Sequence, residues 1–336
     1  MSYANSSALN YAYFKLLETR KPFRDEYTYD MRDRLTTRYS TTGKQTYAYD
    51  AAGNMTDKHI YSDKSSISSI KDIHYDFNYQ NQLTQVKING QPVATYQYDT
   101  GKQRLYSDTH YTGVDETKVY HWDSAGHIIA EESLATASLT AVSNGRTNYI
   151  YAGNDKVAMV IVSTNGSETL YYFINDLQGT PVLITDTSAN VVQKIQTDPY
   201  GNQERSIGIF PDEVNFTGKK LDPVTGLYYF NQRYYDPEVG RFLSNDPAGQ
   251  GTNPYQYCSN SPLTYVDPDG EFWWIVAAAV AGALWNGSQH NWSFESIING
   301  ALGGASLALG AYYVGSYLAG NAVFGASAVS PDFWTI

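Results

Sequence analysis

One short unit, aromatic-x-aromatic-Asp, recurs through the first half of the chain and restricts what the chain can fold into. It reads Tyr27-Thr28-Tyr29-Asp30, Tyr47-Ala48-Tyr49-Asp50, Tyr96-Gln97-Tyr98-Asp99 and Tyr120-His121-Trp122-Asp123. His74-Tyr75-Asp76 and Phe77-Asn78-Tyr79 are looser copies; counting Asp76, the aspartates fall 20, 26, 23 and 24 residues apart. Self-similarity at such a period marks a stacked repeat. Alternation along a strand puts both aromatics of a unit on one face. The aspartate ends the strand, because its carboxylate accepts backbone N–H groups in a turn. Gly53, Gly101 and Gly126 follow closely and supply the positive φ that such a turn requires. One hairpin cannot bury its own face, so the hairpins must lie side by side in a continuous sheet, each unit's aromatics packing on the next unit's.

Composition agrees. Tyrosine occurs 31 times against 12 phenylalanines in 336 residues, and its amphipathic ring suits half-buried sheet positions. A net charge of −11 repels phosphate backbones, which argues against nucleic acid as a partner of the repeat part. The single cysteine, Cys258, excludes an internal disulfide and a cysteine-based zinc site. It reads as a small buried hydrophobe. The six histidines show no metal-ligand spacing, and no Walker loop or Gly-x-Gly-x-x-Gly turn follows a strand, so no metal and no cofactor is expected. Residues 1–5 lack the basic-then-apolar pattern of a signal peptide. The repeats begin almost at once, which reads as a chain whose earlier part lies upstream.

These units resemble the YD repeats of bacterial Rhs proteins, of the C component of Tc toxins and of teneurins. Asp176-Leu177-Gln178-Gly179-Thr180 and Asp198-Pro199-Tyr200-Gly201 are similar to further segments of that family. The run from Asn215-Phe216-Thr217-Gly218 through Gly226-Leu227-Tyr228-Tyr229, Arg233-Tyr234-Tyr235-Asp236-Pro237, Gly240-Arg241-Phe242 and Asp246-Pro247-Ala248-Gly249 to Asp267-Pro268-Asp269-Gly270 resembles the Rhs-associated core. The resemblance implies a mainly β fold: an antiparallel hairpin ribbon that spirals into a hollow shell, plugged by the core. Residues 1–23 would be an irregular flank or partial repeat, 24–205 the ribbon, 206–270 the core and 271–336 a variable hydrophobic tail. Within the core, four Asp-Pro steps set tight turns, glycines 226, 240, 249 and 270 supply positive φ, and Arg233 and Arg241 read as buried arginines tying strands together.

The resemblance also implies a chemistry. In many family members the core is an aspartic self-protease that cuts after its last Asp-Pro-x-Gly. Carried over, the pair is Asp246 and Asp267, with the cut between Gly270 and Glu271. Two carboxylates near enough to share one proton act as base and acid. This chain departs from the pattern in a 17-residue spacer, in Asn245 where arginine is common, and in Glu271 where leucine is usual. The other reading, both aspartates as turn caps, therefore stays open beside it. After Gly270 the composition turns apolar, and residues 296–331 carry no charge; a buried helical hairpin, a membrane-contacting segment and the start of a toxin are the readings of that tail. By resemblance the chain is an exported structural part of a polymorphic toxin in bacterial competition. Its partners would be its own cargo, a cognate immunity protein and upstream repeats; the rivals are a membrane-active effector and an inactive fragment.

Overall fold

The computed structural model describes residues 25–41, 43–111, 114–134, 143–210, 215–249, 253–267, 269–271 and 274–275. The apolar tail, with residues 296–331, and Pro268 lie outside the described residues. Sixteen strands, from Glu26–Tyr29 to Gln203–Gly208, form one sheet in strict sequence order. Each strand pairs antiparallel with its neighbours in sequence, as a ribbon of hairpins requires.

The aspartate of each unit closes its turn. At Asp30, Asp50, Asp99, Asp123, Asp176 and Asp198 the backbone N–H bonds the carbonyl four residues on at 2.9–3.0 Å. The carboxylate meanwhile accepts N–H groups from inside the loop, such as Ala125 (2.9 Å) and His127 (2.8 Å) on Asp123. In every such turn the residue three past the aspartate has positive φ: Gly53 (91°), Gly126 (83°), Gly179 (77°) and Gly201 (87°), but also Asp33 (58°) and Lys102 (67°). Two expectations are corrected here. The positive φ after Asp99 falls on Lys102, not on Gly101, because the loop geometry fixes the third position whatever residue stands there. Asp76 ends no strand: it sits within Lys71–Phe77, paired with Lys87 at 2.7 Å. Asn78 closes that turn instead, its amide oxygen accepting from Gln80 (2.9 Å) and Gln82 (3.1 Å) as a carboxylate would.

A register shift next to the turn recurs in these hairpins, at Ala48/Tyr49, Asp76/Phe77, Gln97/Tyr98 and Gln196/Thr197. Such bulges bend a strand and increase its twist, so the sheet is curved at every unit. Its first and last strands each have one neighbour among the described residues.

Among the described residues of 215–275 the strands are short, Asn215–Phe216 with Lys219–Lys220, Tyr228–Phe230 with Arg233–Asp236 and Arg241–Phe242, and Tyr265–Val266 with Trp274–Ile275, with one 3-10 turn at Cys258–Asn260. An aromatic cluster holds them: Phe216, Tyr228, Phe230, Tyr235, Phe242 and Tyr257, all fully buried around Cys258. Burial pushes the Cys258 thiol pKa up, so it stays a protonated, inert filler.

Candidate functional site at the junction of wall and core

Because strands alternate direction, the turns at Asp30, Asp50, Asp99, Asp123, Asp176 and Asp198 emerge along one edge of the sheet, with the like turn at Asp186 on the opposite edge, and the core segment docks on the first. It does so through one repeated contact. Within a turn, the backbone bonds use the carbonyls of the first and fifth residues. The carbonyl of the positive-φ residue points outward, and a core side chain donates to it. Arg241 reaches Asp33 O at 2.8 Å, Tyr255 reaches Gly53 O at 2.8 Å and Tyr229 reaches Lys102 O at 3.2 Å. Asn231 reaches Gly126 O at 3.0 Å, and Tyr228 reaches Gly201 O at 2.9 Å. At buried Gly53 and Gly201 the bond satisfies a backbone acceptor that burial would otherwise leave unpaired.

The aromatics of the repeats face the core as well. Ring centroids lie 5.7 Å apart for Tyr49–Tyr255, 5.3 Å for Tyr96–Tyr234, 6.2 Å for Tyr98–Tyr229 and 6.2 Å for Trp122–Tyr229. The rings of successive units share one buried cluster, Tyr47, Tyr75 and Tyr96 among them, and the core rings of Tyr229 and Tyr234 complete it. Tyr29, at the rim, remains 48% exposed, with the Arg241 guanidinium 4.9 Å above its ring. Arg104 lies buried among tyrosines, 4.4 Å from the Tyr120 ring and 4.6 Å from that of Tyr229, and donates to Tyr234 Oη at 3.3 Å.

The charged junction is equally specific. Lys58 Nζ contacts Asp236 Oδ2 at 2.8 Å and Glu238 Oε2 at 2.7 Å. Burial works against the Lys58 ammonium, but Asp236 and Glu238 outweigh it and hold its pKa well above the usual value. Glu238 also accepts from Arg38 and Gln45, both at 2.6 Å. At the other end of the sheet, Asn202 Nδ2 bonds Pro237 O at 2.6 Å. Adjacent core residues, Pro237 and Glu238, therefore hold the last hairpin and the second and third strands at once. The sheet wraps around the core.

Beneath this junction lies the expected carboxylate pair. Arg233, 4% exposed, stands between the two aspartates: its Nη2 is 3.4 Å from Asp267 Oδ2 and 3.8 Å from Asp246 Oδ1. Its Nη1 donates to Pro254 O at 3.1 Å, and its Nε donates to the carbonyl oxygen of Gly270. Asp267 is 2% exposed. Burial, against the pull of Arg233, pushes its carboxyl up to about 7, and Asp269 adds to the shift. Burial and Asp269 raise Glu271 too. Each aspartate is also a turn cap: Asp246 Oδ1 accepts from Ala248 N at 3.0 Å, and Asp267 Oδ1 from Gly270 N at 2.8 Å. Gly270 has φ +79°, and a Cβ there would lie 2.5 Å from Phe230 O. Gly240 is similarly confined, with the Tyr200 ring 2.8 Å from such an atom. Lys58, Glu238 and Arg104 escaped the sequence reading, since nothing local marks a residue whose partner lies far along the chain.

A repeat sheet wrapped around its own turn-rich cap defines the class. The teneurin YD-shell family matches residues 139–256, and the RHS repeat family matches residues 26–65. The tRNA3(Ser)-specific nuclease WapA of Bacillus spizizenii is 30% identical over 277 residues, 69% of this chain and 11% of that protein. The double-stranded DNA deaminase toxin A of Burkholderia cenocepacia is 27% identical over 76% of this chain and 21% of that protein. The solved TcdB2-TccC3-Cdc42 structure covers 73% of this chain and 15% of its own, at 21% identity and a TM-score of 0.49. The chain belongs to the Rhs/YD-repeat family, and it spans between about a tenth and a fifth of the length of the curated relatives named.

Proposed function

We propose that residues 26–270 are a stretch of shell wall with its closing cap, which encloses a protein cargo on the same polypeptide in an exported toxin used between bacteria. One observation carries the reading: Pro237 and Glu238 bind opposite ends of the sheet, so the core sets the wall's curvature. Relatives named as a tRNA nuclease and a DNA deaminase toxin share this segment, which suits a common container for unlike cargoes. A cognate immunity protein would then guard the producing cell. The test is a site-specific protease sequence placed after Glu271 in the longest natural form of the chain. Enclosure leaves the native protein uncut and the unfolded protein cut; rapid cutting of the native protein removes the reading.

A second reading is self-cleavage between Gly270 and Glu271 by Asp246 and Asp267. It is favoured by the approach of both carboxylates to one guanidinium that also holds the Gly270 carbonyl, and by an Asp267 that titrates near neutrality. A denaturing gel of the same material tests it. Two fragments are expected, lost in Asp246→Asn; a single band throughout removes it.

A further inference from the structure

We propose that Lys156 and Asn215 join through an isopeptide bond, Nζ to Cγ, which welds the wall covalently to the core with loss of ammonia. The inference goes beyond the container reading and rests neither on it nor on self-cleavage.

The two side chains meet away from water. Lys156 is 3% exposed, Asn215 is wholly buried, and Lys156 Nζ lies 3.2 Å from Asn215 Oδ1, one bond away from the carbon under attack. Both ends are held. Lys156 belongs to the wall strand Asp155–Val162, and its carbonyl accepts from Asn175 Nδ2 at 2.9 Å. Asn215 pairs with Lys220 across the first short hairpin of the core, and Thr217 N donates to Thr180 Oγ1 of the wall at 3.0 Å. Reacting groups fixed this close have already lost most of the freedom that slows the same reaction between separate molecules.

The surroundings favour the reaction. The ring centroids of Tyr149 and Phe173 lie 4.1 and 6.0 Å from Lys156 Nζ and shield it from solvent. A second lysine, Lys219, is close enough for the two charges to oppose each other: burial, with the Lys156 charge adding, brings Lys219 down to about 8 against the pull of Asp269. Turning Lys156 into a neutral amide ends that conflict, and a desolvated lysine beside another cation is an activated nucleophile. A buried carboxylate accompanies these amines. Glu131 Oε2 lies 3.3 Å from Lys118 Nζ and 3.5 Å from Lys220 Nζ. Burial works against its charge, but Lys220, Lys118 and Lys156 outweigh it and hold its pKa well below the usual range. A second lysine–asparagine contact, Lys219 Nζ to Asn231 Oδ1 at 3.0 Å, lacks these conditions: Asn231 is only half-buried, and its Nδ2, the group that would leave, donates to Gly126 O at 3.0 Å.

The step balances with no further reactant. Glu131 takes a proton from the Lys156 ammonium. The amine bonds to Asn215 Cγ, and the carbonyl electrons move onto Oδ1. They return as the bond to Nδ2 breaks. Nδ2 takes one proton from Nζ and the one carried by Glu131, and departs as ammonium. Lys156 and Asn215 are left joined by a secondary amide, and Glu131 is a carboxylate again. Nothing is oxidised or reduced.

A lysine that merely donates to an asparagine would show the same contact, so the test reads mass. The full chain and its Lys156→Arg, Asn215→Ala and Glu131→Gln forms are made, checked by far-ultraviolet dichroism, and weighed intact and after trypsin. The parent chain should weigh one ammonia less than its sequence, and the peptides holding Lys156 and Asn215 should emerge as one branched species. Both residues precede Gly270, so a self-cleaved chain carries the bond in its first fragment. Lys156→Arg and Asn215→Ala should have their full sequence masses. The bond closes a loop of 59 residues, so the boiled parent should run ahead of them on a denaturing gel. Folded Glu131→Gln should form the bond about 10²-fold more slowly; parental speed there removes Glu131 from the step and leaves the bond standing. Should the variants fail to fold, the branched peptide of the parent decides alone. A parent chain of full sequence mass overturns the proposal. So does an ammonia loss that persists in Lys156→Arg, as ring closure at Asn89-Gly90 would give.

Discussion

At the scale of single residues, the turns show how little side-chain chemistry a conserved geometry needs. The position three past the aspartate takes positive φ whether it is Gly53, Lys102 or, in the turn closed by Asp186, Ala189 (62°). A side chain in that region costs on the order of 1 kcal/mol, so the exposed Ala189→Gly should raise stability by about 0.5–1 kcal/mol. Gly53→Ala should lower it by about 2 kcal/mol or more, because the added Cβ would lie 2.3 Å from Asn245 Nδ2 and 2.8 Å from Tyr255 Oη. Denaturant midpoints of the two variants check both signs; equal shifts would mean that the core does not press on the rim.

At the scale of elements, the solvent face of the sheet carries histidine opposite carboxylate. Asp57 and His59 of Met55–Tyr61 pair in register with His74 and Asp72 of Lys71–Phe77, at 2.7 and 2.6 Å. His110 contacts Asp108 at 2.9 Å and Asp115 at 2.6 Å. The hydrogen bond to Asp57 raises the pKa of His74, with Asp76 and Asp57 charges adding, and Asp108 does the same for His110. A histidine whose folded pKa lies above 6.5 adds stability that is complete below that value and is lost as pH rises through the folded pKa. The wall should therefore melt at a higher temperature near pH 6 than near pH 8 on account of these pairs. The double variant His74→Phe/His110→Phe should flatten that slope; an unchanged slope would place the dependence elsewhere. The hairpins themselves were legible in the sequence, because Tyr-x-Tyr-Asp specifies strand, face and turn within a few residues. Asn78 was missed because an amide does a carboxylate's work there, and Gly101 misled because composition marks permission for positive φ rather than its place. The carboxylate pair was legible by motif, whereas its arginine was read only as a structural tie.

At the scale of the whole molecule, wall and core are joined by contacts between residues as far apart as Asp33 and Arg241, 208 positions away, and no local pattern announces such a partner. Lys58→Met would leave Asp236 and Glu238 facing each other with their buried cation gone. The loss should be about 3–5 kcal/mol, with faster hydrogen exchange in Leu35–Tyr39 and Met55–Tyr61 as the wall loosens. Adding Asp236→Asn and Glu238→Gln should recover part of it, since the unmatched charge is removed too; a triple variant as weak as the single would point to lost packing instead. The rim contacts have a consequence of their own. Successive teeth of the cap, from Tyr228 to Tyr255, each engage the outward carbonyl of one particular loop, so the cap acts as a gauge. A duplicated hairpin would bring an extra carbonyl with no donor cut to receive it, and every later loop would arrive out of step. A whole unit inserted between engaged loops should therefore carry the later ones off their donors, whereas one inserted before Asp33 should leave these five contacts in place.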